Sequence, residues 1–146
     1  TSWQYWKALE MFNEGGRALV EGYKINNGTV EGGGVVRPTK ILWGLGNYSL
    51  FIRPDLVRVK IDGADDPFGV MATAWISPDK KRIVQVYVNL AKKARTIKPT
   101  FRQQIKPAKV AAFRTDSAAD LANLHISDAS SVILAPRSIT TLVFDL

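Results

Sequence analysis

Cysteine is absent from the 146 residues, and histidine occurs once, at His125. The first absence excludes disulfide scaffolds, Cys-ligated zinc, iron–sulfur clusters and cysteine catalysis; it leaves the compartment open, since exported domains also fold without disulfides. The second leaves His125, between Leu124 and Ile126, without the partners that the usual metal and nucleophile arrangements need, so it reads as a structural or solvent-facing residue. No apolar run reaches the roughly 18 residues of a membrane-spanning helix, and no signal-peptide pattern opens the chain. No phosphate loop is present either, because Gly32-Gly33-Gly34 runs into Val35-Val36-Arg37-Pro38 and not into Gly-Lys-Ser/Thr. Acidic groups are few: 13 Asp and Glu stand against 20 Lys and Arg, for a net charge of +7.

Hydrophobic residues make up 46% of the chain and charged residues 23%, the balance of one globular domain able to bury a core unaided. The positive charge is concentrated in residues 78–114, where Lys80, Lys81, Arg82, Lys92, Lys93, Arg95, Lys98, Arg102, Lys106, Lys109 and Arg114 meet only Asp79. Such a block suits an anionic partner such as an acidic polysaccharide, a nucleic acid or a membrane surface. The plainer reading is a solvated sheet face whose Lys and Arg keep edge strands from pairing. A nucleic-acid partner has only the charge behind it and is not expected. No cofactor or metal is expected: Asp62, Asp65 and Asp66 are too few for calcium, which takes about six to eight oxygens, and fit turn chemistry.

Periodicity divides the chain. Ala18 to Ile25 is strand-like and precedes an Asn26-Asn27-Gly28 turn and a Gly-rich stretch to Gly34. In residues 38–52, Ile41, Leu45, Tyr48 and Ile52 recur at helical spacing, with Pro38 fitting the first turn and Pro54 forbidding continuation. Gly44 and Gly46 each cost that helix about 1 kcal/mol relative to Ala, which a close backbone contact would justify. From Leu56 onward the period is 2. Val57, Val59 and Ile61, then Val70, Ala72, Ala74 and Ile76, then Val84, Val86, Val88 and Leu90 form alternating stripes, with turn residues between them. Further strands are expected near 95–97, 103–105, 110–114, 132–134 and 139–144, with a polar or helical excursion near 118–123. The expected fold is mainly β, an antiparallel, Greek-key-like β-sandwich preceded by one helix, with the Val57 and Val84 stripes facing its core. Trp75 and Tyr87 fall opposite the Val/Ala stripes, where they would offer a platform to sugar rings unless that face is covered.

The segment Leu42-Trp43-Gly44-Leu45-Gly46-Asn47-Tyr48-Ser49-Leu50-Phe51-Ile52-Arg53-Pro54, followed by Val57-Arg58-Val59, resembles glycoside hydrolase family 30. Ser2-Trp3-Gln4-Tyr5-Trp6 is similar to the last strand of that family's (β/α)₈ barrel, and Pro136-Arg137-Ser138-Ile139-Thr140-Thr141-Leu142-Val143 to its closing sandwich strand. Asp55 stands where the family usually has Gly.

The resemblance implies a fragment, with residues 1–37 a remnant of the last barrel strand and its connection and residues 38–146 the helix plus sandwich. It implies a retaining glycosidase as parent, whose two glutamates lie on earlier strands and must be about 5–5.5 Å apart. Glu10, Glu14, Glu21 and Glu31 all follow the strand resembling the last one and take neither role. The chain is then a non-catalytic accessory domain of a secreted or periplasmic enzyme acting on a β-linked polysaccharide such as xylan, β-1,6-galactan or β-1,6-glucan, and it meets polysaccharide through the parent barrel. Trp3 would lie at the substrate end of its barrel strand as an apolar floor for a sugar ring. In the family a strand from the enzyme's N-terminus often joins the sandwich, so its absence would leave an open edge. The alternative is an independent carbohydrate-binding module with Trp75 and Tyr87 as its platform and the basic block meeting uronic acids.

Overall fold

In the computed structural model the described residues are 4–5, 7–11, 18–23, 35–101 and 105–146. They fall into two compact units, Thr1–Leu45 and Gly46–Leu146. In the first unit, strand β2 (Val20–Tyr23) lies between β1 (Leu9–Met11), which it pairs in parallel, and β3 (Val35–Pro38), which it pairs antiparallel. Glu21 and Arg37 are directly opposed in that register and meet at 3.4 Å, which gives the buried Glu21 carboxylate a cation. Thr39 follows β3, and its hydroxyl donates to the Ala18 carbonyl at 2.7 Å.

The single helix among the described residues, α1, spans Lys40–Ser49 and not 38–52. Pro38 ends β3 instead of opening the helix. After Ser49 the chain stays coiled, with the Leu50 and Ile52 amides donating back to Gly46 and Tyr48 at 3.1 and 2.8 Å until Pro54 stops it. No helix of the described residues is long and apolar enough to cross a membrane. The close contact expected at the helical glycines is absent at Gly46: a methyl group there would lie 3.4 Å from Leu121 Cδ2, an ordinary distance.

The second unit carries β4 (Val57–Val59), β5 (Val70–Ile76), β6 (Arg82–Asn89), β7 (Arg95–Ile97), β8 (Lys109–Thr115), β9 (Ala122–Asn123), β10 (Val132–Leu134) and β11 (Ser138–Asp145). Six of them form one antiparallel sheet in the order β4-β5-β6-β11-β8-β9, while β10 and β7 pair as a second layer. The last strand thus inserts between β6 and β8, a Greek-key return. Ile83, Tyr87, Ala112, Leu142 and Phe144 of the large sheet pack against Val132 and Leu134 of the small one. The described residues are mainly β, with one helix and, in the second unit, antiparallel sandwich layers, as expected from the alternation. Of the expected strand at 103–105, Gln103 and Gln104 lie outside the described residues and Ile105 is in no strand; the excursion near 118–123 is a bend closed by the short β9.

The side-chain parity differs from the expectation. Val57 opposes Ile76, Val59 opposes Ala74, Ala74 opposes Gln85 and Ala72 opposes Tyr87, so these residues share the face that meets the second layer. Val84, Val86 and Val88 point to the other face. The Val57 and Val84 stripes are therefore on opposite faces of one sheet, and Val57, at its edge, is 59% exposed. The cause lies in β6, where both alternations are apolar enough to bury: Ile83 and Tyr87 on one side and Val84 and Val86 on the other are all buried.

Asp55 has φ +74°, the left-handed region that Gly occupies without strain. The position where the resemblance expects Gly is thus one whose backbone favours it. Replacing Asp55 by Gly is expected to raise unfolding free energy by about 0.5 kcal/mol, read as a higher urea midpoint at unchanged slope.

Candidate functional site

Three places in the second unit hold the side chains that the sequence reading singled out or missed. The first is the face carrying Val84 and Val86, covered by the end of α1. Asn47 is fully buried there. Its Nδ2 donates to Thr115 Oγ1 of β8 at 2.7 Å, and Thr141 Oγ1 of β11 donates to the Asn47 carbonyl at 2.7 Å. Tyr48 stands perpendicular to Trp75 with ring centroids 6.1 Å apart, and Phe51 lies 4.6 Å from Phe113. Trp75 is thus half-buried beneath the end of the helix.

The second place is a groove of about 710 Å³ on the opposite face, between residues 59–64 and 96–101, floored by Ala74, Ile83, Gln85 and Tyr87. Tyr87 is 4% exposed and donates its hydroxyl to Gln85 Oε1 at 2.8 Å. Burial pushes its phenol up to about 12, so it stays neutral. Trp75 opposes Val84 and Tyr87 opposes Ala72, which puts the two rings on opposite faces of the sheet. The common Trp75–Tyr87 platform is therefore corrected: the residues are an odd number of steps apart in the ladder, and a one-residue difference reverses the face. Trp3 lies outside the described residues.

The third place comes from the basic block, which the fold splits. Strand β6 separates its ends by roughly 24 Å at about 3.4 Å per residue. Lys80, Lys81, Arg82 and Lys109 gather at one end, where Arg82 binds Asp145 at 2.9 Å and Asp145 is opposed by both Arg82 and Lys109. Lys92, Lys93 and Arg95 lie at the other end, joined there by Arg137 from outside the block around an open depression of about 590 Å³. Asn89 organises that end. It is 1% exposed, its Nδ2 lies 3.0, 3.3 and 2.8 Å from the carbonyls of Lys93, Leu134 and Ala135, and its Oδ1 accepts the Ala91 amide at 3.1 Å. The Arg137 amide donates to Ala91 and the Leu90 amide to Gly69, tying three loops together.

His125 is exposed, and its amide donates to Asn123 Oδ1 at 2.8 Å. Of the turn aspartates, Asp66 accepts the Phe68 amide at 2.9 Å, the local capping role that suits this residue type. Sequence reasoning missed Asn47 and Asn89. The available signal was a poor helix former inside a helix and a poor strand former at the end of an apolar strand, positions where Asn persists when its side chain is in use.

No protein-family profile matches the chain. Among solved structures it is similar to the catalytic domain of GH30 xylanase C from Talaromyces cellulolyticus, with 28% identity and a TM-score of 0.70 over 94% of this chain and 29% of that one. It is similar also to a GH30 endoxylanase from Clostridium papyrosolvens C71, with 27% identity and a TM-score of 0.62 over 75% of this chain and 28% of that one. The chain resembles glycoside hydrolase family 30 over most of its length. A conserved exported protein from Bacteroides fragilis shares 25% identity at a TM-score of 0.79, over 97% of this chain and 29% of its own. The family 30-like chain thus spans less than a third of each of these structures.

Proposed function

We propose that the chain is the non-catalytic sandwich portion of a secreted or periplasmic family 30-like glycoside hydrolase acting on a β-linked polysaccharide of the xylan, β-1,6-galactan or β-1,6-glucan type. The observation that carries this reading is a 27–28% likeness to two GH30 xylanase structures over most of this chain and under a third of theirs. Three features support it. Glu21 makes an ion pair with Arg37 on the neighbouring strand at 3.4 Å, which gives that carboxylate a structural partner. The end of α1 is fused to the large sheet through Asn47, so the motif that carries the resemblance is a structural joint. The groove beside the β4 and β7 edges is where a strand from elsewhere in the parent would extend the layer. Within this reading residues 1–37 come from the last barrel strand and its connection, and Trp3 floors a sugar subsite in the whole enzyme.

The test is the reading frame upstream of the Thr1 codon together with an assay of the chain itself. The frame is expected to encode further barrel strands bearing two glutamates. The pure chain is expected to show no turnover on xylan, galactan or glucan. An upstream frame without barrel strands overturns the proposal, and so does turnover that Glu10→Gln, Glu14→Gln, Glu21→Gln or Glu31→Gln abolishes.

A further inference from the structure

The depression at the Asn89 end is built from a mismatch that core packing does not explain. Phe68 is 88% exposed, the most exposed large apolar side chain among the described residues. It lines the depression beside Pro67, and Lys92, Lys93, Arg95 and Arg137 share the lining with no carboxylate among them. The nearest acid in sequence, Asp66, is turned onto the Phe68 amide. The four cations have no ion-pair partner among the described residues, in contrast to Arg82 and Arg114, whose charges meet Asp145 and Asp116 at 2.9 and 2.8 Å.

The loops bearing these groups are also held in place. Asn89 clamps residues 91–93 to residues 134–135, and the backbone of Arg137, at φ +49°, is held by the hydrogen bond its amide donates to the Ala91 carbonyl at 3.0 Å. The Phe68 turn is fastened by the Leu90 amide on Gly69. An exposed aromatic ring that shares a depression with four cations lacking ion-pair partners among the described residues matches a ligand that has an apolar face and negative charge on the same unit. A pyranose bearing a carboxylate is such a unit: its axial C–H groups stack on an aromatic face, and Arg binds the carboxylate in bidentate fashion.

We propose that this depression is a docking surface for a uronate-bearing polysaccharide, with Phe68 as the stacking platform and Lys92, Lys93, Arg95 and Arg137 as the carboxylate clamp. The choice of a polysaccharide over other polyanions rests on the proposed function; the choice of an acidic one rests on the charge of the depression.

The probe is a short oligogalacturonate, titrated calorimetrically into the full chain at moderate salt. Binding is expected, with a neutral cello-oligosaccharide giving none. Phe68→Ala is expected to weaken it about tenfold without lowering the urea midpoint, since the ring is exposed, and Arg95→Gln with Arg137→Gln by a similar factor. Lys80→Gln with Lys81→Gln, at the far end of β6, should leave affinity unchanged. The proposal is overturned if oligogalacturonate does not bind, if Phe68→Ala leaves the affinity unchanged, if the Lys80 and Lys81 changes weaken it equally, or if a sulfated oligosaccharide or short duplex DNA binds as tightly. Failure here with barrel strands encoded upstream removes this surface alone. Uronate binding without such strands removes the proposed enzyme context and leaves the surface standing.

Discussion

Asn89→Ala is expected to lower the unfolding free energy by about 3 kcal/mol and to release the loops around the basic depression. The Asn89 amide nitrogen lies within hydrogen-bond reach of three carbonyls, and its oxygen takes one amide, all at a site that is 1% exposed. Removing it strands several buried or half-buried backbone groups, each costing about 1–3 kcal/mol before water or loop movement compensates. Against a total stability of about 5–15 kcal/mol the loss is large. Asn89→Asp should be worse, since a carboxylate has no donor to offer and would face the same carbonyl oxygens. The measurements are urea unfolding and amide hydrogen exchange. Faster exchange at Ala91 and Arg137 in a chain that remains folded is the expected signature, and an unchanged urea midpoint would show that the clamp contributes nothing.

Asn47→Ala is expected to cost about 2–3 kcal/mol and to loosen the end of α1 from the large sheet. The side chain is fully buried and gives Thr115 Oγ1 its 2.7 Å donor, while Thr141 approaches both the Asn47 carbonyl and its side-chain oxygen, at 2.7 and 3.1 Å. Thr115 keeps the Leu121 amide at 3.1 Å and Thr141 keeps the backbone carbonyl, so the effect stops short of complete orphaning. A double-mutant cycle with Thr115→Val isolates the contact. A coupling of about 1 kcal/mol is expected, because Thr115→Val removes the same hydrogen bond that Asn47→Ala removes. Additive losses would show that the Asn47–Thr115 hydrogen bond contributes nothing to stability.

Much of the second unit was legible from local chemistry. Strands at 95–97 and 132–134 appear at the expected bounds, because short β-branched runs flanked by turn residues have few other ways to bury their side chains. Pro54 ended the helical segment for the steric reason visible in the sequence. Asp55 was marked by the resemblance before its φ of +74° supplied the cause. The basic block was equally plain as a count, but its division into two patches was not, since a count carries no direction and β6 runs straight through the block.

Period-2 alternation establishes that residues i and i+2 share a face; it does not say which face meets the second layer when both are covered. In β6 the valines looked like the core stripe, yet Ile83 and Tyr87 meet the small sheet, and the valines lie on the face shared with Asn47. That choice is made by partners distant in sequence: Val132 and Leu134 on one side, and the end of α1 on the other. For the same reason Trp75 and Tyr87, alike in their strands, end on opposite faces. Asn47 and Asn89 gained their roles only once remote carbonyls and hydroxyls closed around them. Local propensity assigns the strand, while burial on both sides of a sheet depends on which surfaces the folded chain brings against it.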